Sequence, residues 1–372
     1  MAPKNISESL QTARNIFLIQ LGDIGDVVWS TPALWAVKSA CPKAKVSVLV
    51  REGFGSLLAS DPTVHRIYEV KKGKGNLFKK FFGQMEFIRQ LRRQHFDIAL
   101  DLRLDERGAY MAFISGAPVR IRQYNPDVPY RLNKLFTHLV TPPPRPGKIR
   151  GAAEQSLCIV REMGIPTDNN IPALWVSETN RERALAILRH AGVKADTPWV
   201  SLNPFSRWSY KEWSYHKWSE VVDWLWNRYR IATVLVGAGW ERRKAELLAE
   251  KIKATVFNLV GMTSLDELAA VLELSLLNIG VDSAAPHIAA AVGTPTITIY
   301  GPSDWEEWAP IGEIHRVILP SRDCTPCFKK GCEGKGVSHC LEELSAEEVK
   351  QGIQSALNNL DKRTGAIQNP VL

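Results

Sequence analysis

Short apolar runs alternate with longer amphipathic stretches along most of the chain. In the first half, apolar runs of strand length occur at 15–21, 45–50, 66–70, 98–102 and 119–121. Helical patterns lie between some of these runs, at 27–40 and 78–94. Apolar strands separated by amphipathic helices are typical of a mostly parallel, doubly wound sheet. The first half of the chain therefore predicts an α/β domain.

The same alternation resumes after a proline-rich break at 141–146 and a helical stretch at 147–163. Further strand patterns occur at 199–202, 232–236, 256–259, 276–281 and 296–300. Further helical patterns occur at 178–191, 216–229, 265–273, 284–292 and 345–358. We therefore expect two doubly wound α/β domains, at 1–180 and 181–344, followed by a closing helix and tail at 345–372.

The composition fits a globular protein and restricts its partners. Hydrophobic residues make up 45% of the 372 residues and charged residues 23%, which suits two domains with a core each. The net charge of +8 favours acidic partners: nucleic acid, anionic lipid, or a phosphorylated or carboxylated substrate. The polar stretch 1–14 has no signal-peptide core, and no run approaches the roughly 18 apolar residues of a membrane span. We therefore expect a cytoplasmic protein that is soluble or lies on a membrane surface.

Four of the six cysteines are crowded near the C-terminal end, at Cys324, Cys327, Cys332 and Cys340. Their spacing is compatible with a structural zinc site, with a pair of disulfides, or with free thiols in a loop. A site closed by four cysteine ligands has no open position for chemistry, so we expect the cluster to staple the loop. The sequence also lacks an Asp-x-Asp triplet, which argues against a metal-carried nucleotide.

The stretch 278–301 joins two strands through a short, alanine-rich helix. Asp282 and Ser283 are N-cap residue types, and small side chains such as Ala284 bring the helix close to its sheet. A helix that begins directly after a strand aims free N–H groups and its positive dipole end at a ligand, as in phosphate sites. A well-packed crossover helix that binds nothing is the alternative. His287, one turn into the helix, is either a donor to a phosphate or a packing residue.

The first strand runs into Gly22-Asp23-Ile24-Gly25-Asp26, where two glycines permit close approach of the backbone to a ligand. This pattern is not G-x-G-x-x-G, so a nicotinamide cofactor is weakly supported. Asp23 is better placed to cap the following helix, whereas Asp26 falls at the helix start with its side chain free to face the cleft. Both carboxylates lie where strand ends place ligands in α/β sheets.

The loop after the strand at 199–202 contains Ser206, Arg207 and Lys211. Hydroxyls, backbone N–H groups and cations near a strand end are the groups that hold a diphosphate. We therefore expect this loop to bind a phosphorylated ligand.

Basic residues also follow two strands of the first domain. Lys71 and Lys72 lie in a loop that could hold an acidic acceptor or touch anionic lipid headgroups. Arg103 and Arg107 follow a later strand, again at its carboxyl end. We regard these four residues as candidates for binding an acidic acceptor.

Three stretches together, 22–26, 206–213 and 282–295, resemble glycosyltransferase family 9, the heptosyltransferases that build the inner core of lipopolysaccharide from ADP-heptose. The resemblance implies a GT-B fold of two facing Rossmann-like domains, with the donor bound mainly by the second and the acceptor by the first. It also implies inversion at the anomeric carbon, no catalytic metal, and a last helix that packs back on the first domain.

The resemblance also assigns roles to residues. It implies that Asp26 is the catalytic base that takes the proton of the acceptor hydroxyl. It implies that the phosphates of the donor are bound by Ser206, Arg207 and Lys211, and that its ribose is bound by Glu241. It also implies that the adenine is bound by Met262 and Thr263, and that further contacts to the donor are made by Asp282, Ser283, Ala284 and His287. The acceptor is expected on Gly25, Lys71, Lys72, Arg103 and Arg107.

The partners implied are the co-substrate ADP-heptose, an acidic lipopolysaccharide-precursor acceptor (Kdo–lipid A or a heptosylated core) and an anionic membrane surface. No cofactor and no nucleic acid are expected. The implied location is cytoplasmic and peripheral, on the inner face of the inner membrane.

The sequence departs from some members of the family that it resembles at several positions. Ser206 and Arg207 replace paired threonines, Ser283-Ala284 replaces Thr-Gly, and many members have glutamine where Arg103 stands. The departures leave the donor sugar and the acceptor open, so a GT-B transferase that uses another nucleotide sugar is one alternative. An NAD-dependent oxidoreductase and a non-catalytic carbohydrate- or lipid-binding module are the others.

Overall fold

The structure, a computed structural model, describes residues 5–70, 77–142 and 151–364, and the chain divides into two compact units, Met1–Trp175 and Val176–Leu372. The division lies five residues before the expected boundary at 180. Lys71 and Lys72, expected to bind the acceptor, lie outside the described residues.

The described part of the first unit contains a parallel sheet of six strands in the order β3-β2-β1-β4-β5-β6. The strands are β1 (Asn15–Ile19), β2 (Lys45–Arg51), β3 (Val64–Val70), β4 (Ile98–Asp101), β5 (Val119–Gln123) and β6 (His138–Val140). The helices are α1 (Ile6–Thr12), α2 (Ile24–Trp29), α3 (Thr31–Ala40), α4 (Leu77–Arg92), α5 (Glu106–Ile114), α6 (Tyr130–Asn133) and α7 (Glu154–Glu162). A 3₁₀ turn spans Gly55–Leu58.

The described part of the second unit repeats this design, with six parallel strands in the order β12-β11-β10-β7-β8-β9. The strands are β7 (Trp199–Asn203), β8 (Ala232–Leu235), β9 (Val256–Asn258), β10 (Asn278–Val281), β11 (Thr296–Ile299) and β12 (His315–Ile318). The helices are α8 (Glu178–His190), α9 (Tyr215–Tyr229), α10 (Arg242–Ala249), α11 (Leu265–Glu273), α12 (Ala284–Ala291), α13 (Trp305–Trp308), α14 (His339–Glu343) and α15 (Ala346–Thr364). Short 3₁₀ turns span Ser209–Lys211, Gly239–Glu241 and Cys332–Gly334.

The central strands are buried on both faces, which explains their nearly continuous apolar runs. In β1, Phe17, Leu18 and Ile19 are fully buried. Phe17 stacks on Phe96 at 4.5 Å between ring centroids and meets Tyr68 edge-on at 6.0 Å. These contacts form the core on one side of the first sheet.

The helix expected at 27–40 is two helices, because the chain breaks at Ser30 and α3 restarts with Pro32 in its first turn. The helix expected from 147 begins at Glu154, and 147–150 lie outside the described residues. Sequence reasoning missed the edge strands β6 and β12. β6 has only three residues and begins with His138, and β12 begins with His315 and Arg316, so neither shows an apolar run of strand length.

The order of the strands determines where each sheet binds ligands. In each unit the first strand lies between the second and the fourth. Successive strands are therefore added on one side of β1 up to β3 and on its other side from β4 onward, and the second sheet repeats this around β7 and β10. Open α/β sheets bind ligands beyond the strand carboxyl ends at this switch point. The loops after these four strands are therefore the candidate ligand-binding loops.

The closing helix α15 packs against α9 and against β11 and β12 of its own unit. Its expected packing on the first domain stays a prediction. Across 5–70, 77–142 and 151–364, no helix combines the length and apolar character that crossing a bilayer requires.

Candidate active site

The loop after β1 folds the side chain of Asp26 back over Gly22. A Cβ atom on residue 22 would collide with the carboxyl group of Asp26, so only glycine fits here. Asp26 is the third residue of α2 and is 9% exposed. The loop therefore holds one carboxylate, nearly buried, at the switch point of the first sheet.

Both carboxylate oxygens of Asp26 have partners. The guanidinium of Arg103 donates to Oδ1 at 2.5 Å, and the backbone N–H of Asp23 donates to Oδ2 at 2.6 Å. Asp26 is therefore not free of contacts, because Oδ2 completes a capping box at the start of α2 and Oδ1 pairs with Arg103, which follows the neighbouring strand β4. That its side chain faces the cleft stays a prediction. Burial raises the pKa of Asp26, and Arg103 and the Asp23 N–H oppose that rise.

Two further arginines contact the same loop. Arg51, at the end of β2, donates to Asp23 Oδ1 at 2.5 Å and to the carbonyl oxygen of Leu21 at 2.7 Å. Arg107 donates to the same carbonyl oxygen at 3.3 Å. Each of the three arginines also pairs with a carboxylate, Arg51 with Asp23, Arg103 with Asp26 and Arg107 with Asp105. An anionic group that binds here therefore competes with these carboxylates for the guanidinium groups.

Asp101 and Arg122 form a buried pair next to Arg103. Asp101 Oδ1 accepts the backbone N–H of Arg103 at 3.1 Å, and Asp101 Oδ2 lies 4.0 Å from Nε of Arg122. Neither side chain is exposed. Burial raises the pKa of Asp101 to about 7, against the opposing charge of Arg122. Asp101 thus sets the turn from which Arg103 reaches Asp26.

In the second unit, an ion pair joins the loops after β7 and β10. Lys211 Nζ donates to Asp282 Oδ2 at 2.6 Å, and both side chains are largely buried. The hydroxyl of Ser206 donates to the backbone carbonyl of Asp282 at 3.3 Å. The structure therefore brings Ser206, Lys211 and Asp282 together at the switch point of the second sheet.

The N-terminus of α12 lies next to this pair. Ser283 occupies the N-cap position but makes no side-chain cap, because its hydroxyl donates to Asn203 Oδ1 on β7 instead. The first residue of the helix is Ala284, whose methyl group is half-buried. A helix start without a side-chain cap and with little side-chain bulk is suited to an anion.

His287 is buried one turn into α12. Burial lowers its pKa to about 4. The charge of Asp282 opposes this lowering, and the charge of Lys211 adds to it. The imidazole is therefore neutral near pH 7 and lies close to the Lys211–Asp282 pair. Its role as phosphate donor or packing residue stays a prediction.

The loops after β8 and β9 approach each other closely. Gly261 has a φ of +73°, and a Cβ atom there would lie 2.7 Å from Cα of Gly239. Glu241 is buried and accepts the N–H of Ala238 at 2.7 Å, while burial raises its pKa. Met262 is exposed on the same pair of loops.

The remaining expected residues lie nearer the solvent. Thr263 and Gly25 are half-buried in their loops. Arg207 is exposed and places its guanidinium over the ring of Trp208 at 5.3 Å from the centroid. Arg207 therefore lies over the ring of the next residue in the loop.

With this geometry established, similarity to known proteins identifies the family. The family model for glycosyltransferase family 9 (heptosyltransferase) matches residues 84–338. The chain belongs to glycosyltransferase family 9. This family 9 chain is 30% identical over 297 residues to lipopolysaccharide heptosyltransferase 3 of Escherichia coli, covering 77% of the chain and 83% of that protein.

Solved structures show the same fold. A glycosyl transferase family 9 protein from Veillonella parvula aligns with a TM-score of 0.79 and 21% identity, covering 94% of this chain and 99% of that one. The ADP-heptose lipopolysaccharide heptosyltransferase II of Escherichia coli aligns with a TM-score of 0.74 and 18% identity, covering 93% and 99%. The two Rossmann-like units are those of a GT-B fold, so the expected fold class is confirmed.

Membership of family 9 makes the protein a glycosyltransferase. The resemblance inferred from the sequence is confirmed, and the oxidoreductase and the non-catalytic module are not supported. Sequence reasoning missed Arg51, Asp101, Arg122 and Asn203. A signal existed for all four, since each stands at or next to the carboxyl end of a strand that lies at or beside a switch point.

The four clustered cysteines lie between β12 and the first residues of α14. All are free thiols, with Cys340 buried and Cys324 exposed. Burial raises the pKa of Cys340, and Cys327 and Cys324 lie close enough to raise it further. In the part of the chain that the structure describes, no three His, Cys, Asp or Glu side chains are grouped to hold a metal. The stapling role stays a prediction.

Proposed function

We propose that this glycosyltransferase transfers heptose from ADP-heptose to the inner core of a lipopolysaccharide precursor, with inversion at the anomeric carbon. The relatives support it, since one is named a lipopolysaccharide heptosyltransferase and another an ADP-heptose heptosyltransferase. The observation that carries the proposal is the pair of switch-point sites. A nearly buried carboxylate lies in one unit, and a lysine beside a helix N-terminus lies in the other.

The second unit binds the donor in this proposal. The pyrophosphate occupies the N-terminus of α12, where Ala284 leaves room and the helix dipole favours negative charge. Lys211 meets the β-phosphate, and Ser206 contributes its hydroxyl group. Glu241 binds the ribose and the loop of Met262 and Thr263 binds the adenine.

The first unit supplies the base. The acceptor hydroxyl attacks the anomeric carbon on the face opposite ADP, and the hydroxyl proton passes to the carboxylate of Asp26. The bond from the anomeric carbon to the β-phosphate oxygen breaks, and ADP leaves with the electron pair. Lys211 and the α12 N-terminus stabilise the charge that develops on the leaving phosphate.

Arg103 couples the base to the charge of the acceptor. In the structure Arg103 is paired with Asp26. An acidic group on the acceptor competes for the same guanidinium, and its binding releases one oxygen of Asp26 for the hydroxyl proton. Arg107 and Gly25 border the same space. An acidic precursor such as Kdo–lipid A or a phosphorylated heptosylated core fits this requirement.

We further propose that the enzyme acts in the cytoplasm, bound peripherally to the inner face of the inner membrane, where a lipid-linked acceptor is accessible. The protein's own cations neutralise the leaving group, so we propose a reaction without a catalytic metal.

The test is product detection by mass spectrometry with ADP-heptose and a truncated lipopolysaccharide acceptor. We expect one added heptose for the parent. Asp26→Asn should abolish transfer while ADP binding, measured by calorimetry, persists, because Asp26 belongs to the acceptor side. Asp23→Asn is the matched control, since it removes a neighbouring carboxylate outside the proposed chemistry. Transfer by Asp26→Asn within a few-fold of the parent would remove Asp26 from the role of base.

The identity of the donor sugar is tested separately. Ser283-Ala284 and Ser206-Arg207 are departures at the donor loops, so another nucleotide sugar is the alternative. Release of nucleotide from a panel of ADP-, GDP- and UDP-sugars distinguishes the two, and preference for a sugar other than ADP-heptose would replace the donor in this proposal.

A further inference from the structure

We propose that one exposed face of the first unit, formed by α4, α5, α6 and the adjoining loops, docks on an anionic lipid surface. We call it the docking face. Its apolar members are Met85, Tyr110, Phe113 and Tyr130. Its cations are Arg89, Arg92, Arg93, Arg120, Arg131 and Lys134.

The apolar side chains are unusually exposed for their size. Tyr130 is 73% exposed, Phe113 50%, Met85 46% and Tyr110 42%. Tyr110 and Phe113 are three residues apart on α5 and so share one side of the helix. Grouped exposed apolar side chains on a soluble domain indicate an interaction surface, whereas scattered ones do not.

Direct contacts join the three helices into one surface. Arg92, at the end of α4, donates to the backbone carbonyl of Ile114 at the end of α5 at 3.2 Å. On the other side of α5, Glu106 accepts the hydroxyl of Tyr110 at 3.3 Å and lies 3.7 Å from Arg131 of α6. Met85 lines a surface pocket together with Arg92. The docking face is therefore continuous from α4 to α6.

Cations lie directly against the aromatic rings. Lys134 Nζ lies 4.8 Å from the ring centroid of Tyr130, and the guanidinium of Arg120 lies 5.7 Å from that of Phe113. The carboxylates on this face, Glu86 and Glu106, pair with Arg89 and Arg131. Aromatic side chains with basic residues beside them match the boundary between lipid headgroups and acyl chains.

The position of the face relative to the candidate base supports a lipid occupant, and this step rests on the proposed function. Arg107, in the first turn of α5, contacts the loop that carries Asp26. Glu106, the residue before Arg107, contacts Tyr110 and Arg131 of the docking face. The end of the face that carries Tyr110 and Arg131 is therefore the end near this loop, and a lipid surface against it brings the headgroup of a lipid-linked acceptor towards Asp26.

A second copy of the chain fits the face less well than anionic lipid. Two such faces would bring the same cations together, and like charges in contact are repulsive. Anionic headgroups instead neutralise these cations while the aromatic side chains enter the interface.

The experiment is flotation of the purified protein with vesicles of phosphatidylcholine, with and without phosphatidylglycerol. We expect binding only to the anionic vesicles. Two variants of different chemistry test the face: Phe113→Ser with Tyr130→Ser, and Arg89→Glu with Arg131→Glu. Each should lower the partition constant by about tenfold or more. Leu185→Ser with Leu247→Ser, which removes two exposed apolar side chains of the second unit, is the control and should bind like the parent.

Equal binding of the parent and both test variants would overturn the proposal, and so would parent binding that is indifferent to phosphatidylglycerol. Parent dimers in light scattering that both test variants abolish would assign the face to a second copy instead. Transfer to a soluble truncated acceptor should be unchanged in both variants, because neither alters the proposed site. A parent that binds anionic vesicles but transfers no heptose would refute the proposed function and leave the docking face standing.

Discussion

At the scale of single residues, Asp26 is subject to two opposing influences. Burial raises its pKa, and the guanidinium of Arg103, at 2.5 Å, lowers it. A general base must be ionised to act, so the pKa of this carboxyl determines the lowest pH at which the enzyme works. Arg103 therefore opposes the rise in pKa that burial causes, and it also occupies one of the carboxylate oxygens.

Arg103→Gln should move the acidic limb of the pH–rate profile to higher pH. Loss of the guanidinium removes the influence that lowers the pKa of Asp26, so protonation inactivates the base at a higher pH than in the parent. The measurement is kcat/KM for the acceptor across pH. Arg107→Gln is the control, because Arg107 contacts a backbone carbonyl of the loop rather than Asp26, and its acidic limb should stay in place.

Lys211→Ala should weaken ADP binding by about 10- to 100-fold, as loss of one charge-assisted contact to a phosphate predicts. Calorimetric titration with ADP measures this. Arg243→Ala is the control, since it removes one exposed cation of the same unit, which pairs with Glu246 at 3.2 Å on the surface of α10. A loss of equal size in both variants would indicate a general effect of charge rather than a phosphate site at Lys211.

At the scale of elements, the start of α12 serves the ligand more than the helix. Its N-cap residue, Ser283, hydrogen-bonds across to Asn203 and leaves the helix without a side-chain cap. An N-cap side chain normally contributes about 1 kcal/mol to stability. The unused cap is consistent with N–H groups that a phosphate satisfies when the donor binds.

Ala284→Asp separates these two functions of the helix start. A carboxylate in the first turn interacts favourably with the helix dipole, so the free protein should be as stable as the parent or more stable by about 0.3–1 kcal/mol. The same charge repels a phosphate, so ADP should raise the melting temperature of the variant less than that of the parent. Thermal unfolding with and without ADP measures both effects, with Ala284→Ser as the neutral control. An ADP-induced shift as large as that of the parent would place the pyrophosphate away from α12.

At the scale of the whole molecule, the net charge of +8 favours acidic partners, which is consistent with the proposed acceptor and docking face. Raising the salt concentration from about 0.1 M to about 1 M shortens the Debye length from about 10 Å to about 3 Å. Transfer to an acceptor embedded in anionic vesicles should therefore fall more steeply with salt than transfer to a soluble truncated acceptor. The initial rates of ADP release with the two acceptors measure the difference. Parallel salt curves would contradict a contribution of surface charge to membrane encounter.

Much of the fold was predictable because its signals are local. Strand and helix patterns predicted the central strands of both sheets. The helical pattern at 265–273 matches α11, whose start is held by a capping box in which the Ser264 N–H donates to Glu267 at 2.9 Å. The edge strands β6 and β12 were not predicted, since β6 has only three residues and β12 begins with His315 and Arg316, so neither shows an apolar run. The division at Ser30 of the helix expected at 27–40 was also not predicted, because Pro32 is as compatible with a helix start as with a kink.

The sequence by itself determined which loops follow strands, and therefore that Asp26, Lys211 and Asp282 stand at strand ends. Only the tertiary structure decided their partners. Arg103 is 77 positions from Asp26, and Asp282 is 71 positions from Lys211. Each pair meets because β1 lies beside β4 and β7 beside β10, an order that results from packing of the whole sheet. Periodicity and capping act over a few residues, whereas side-chain pairing across a switch point depends on which strands become neighbours.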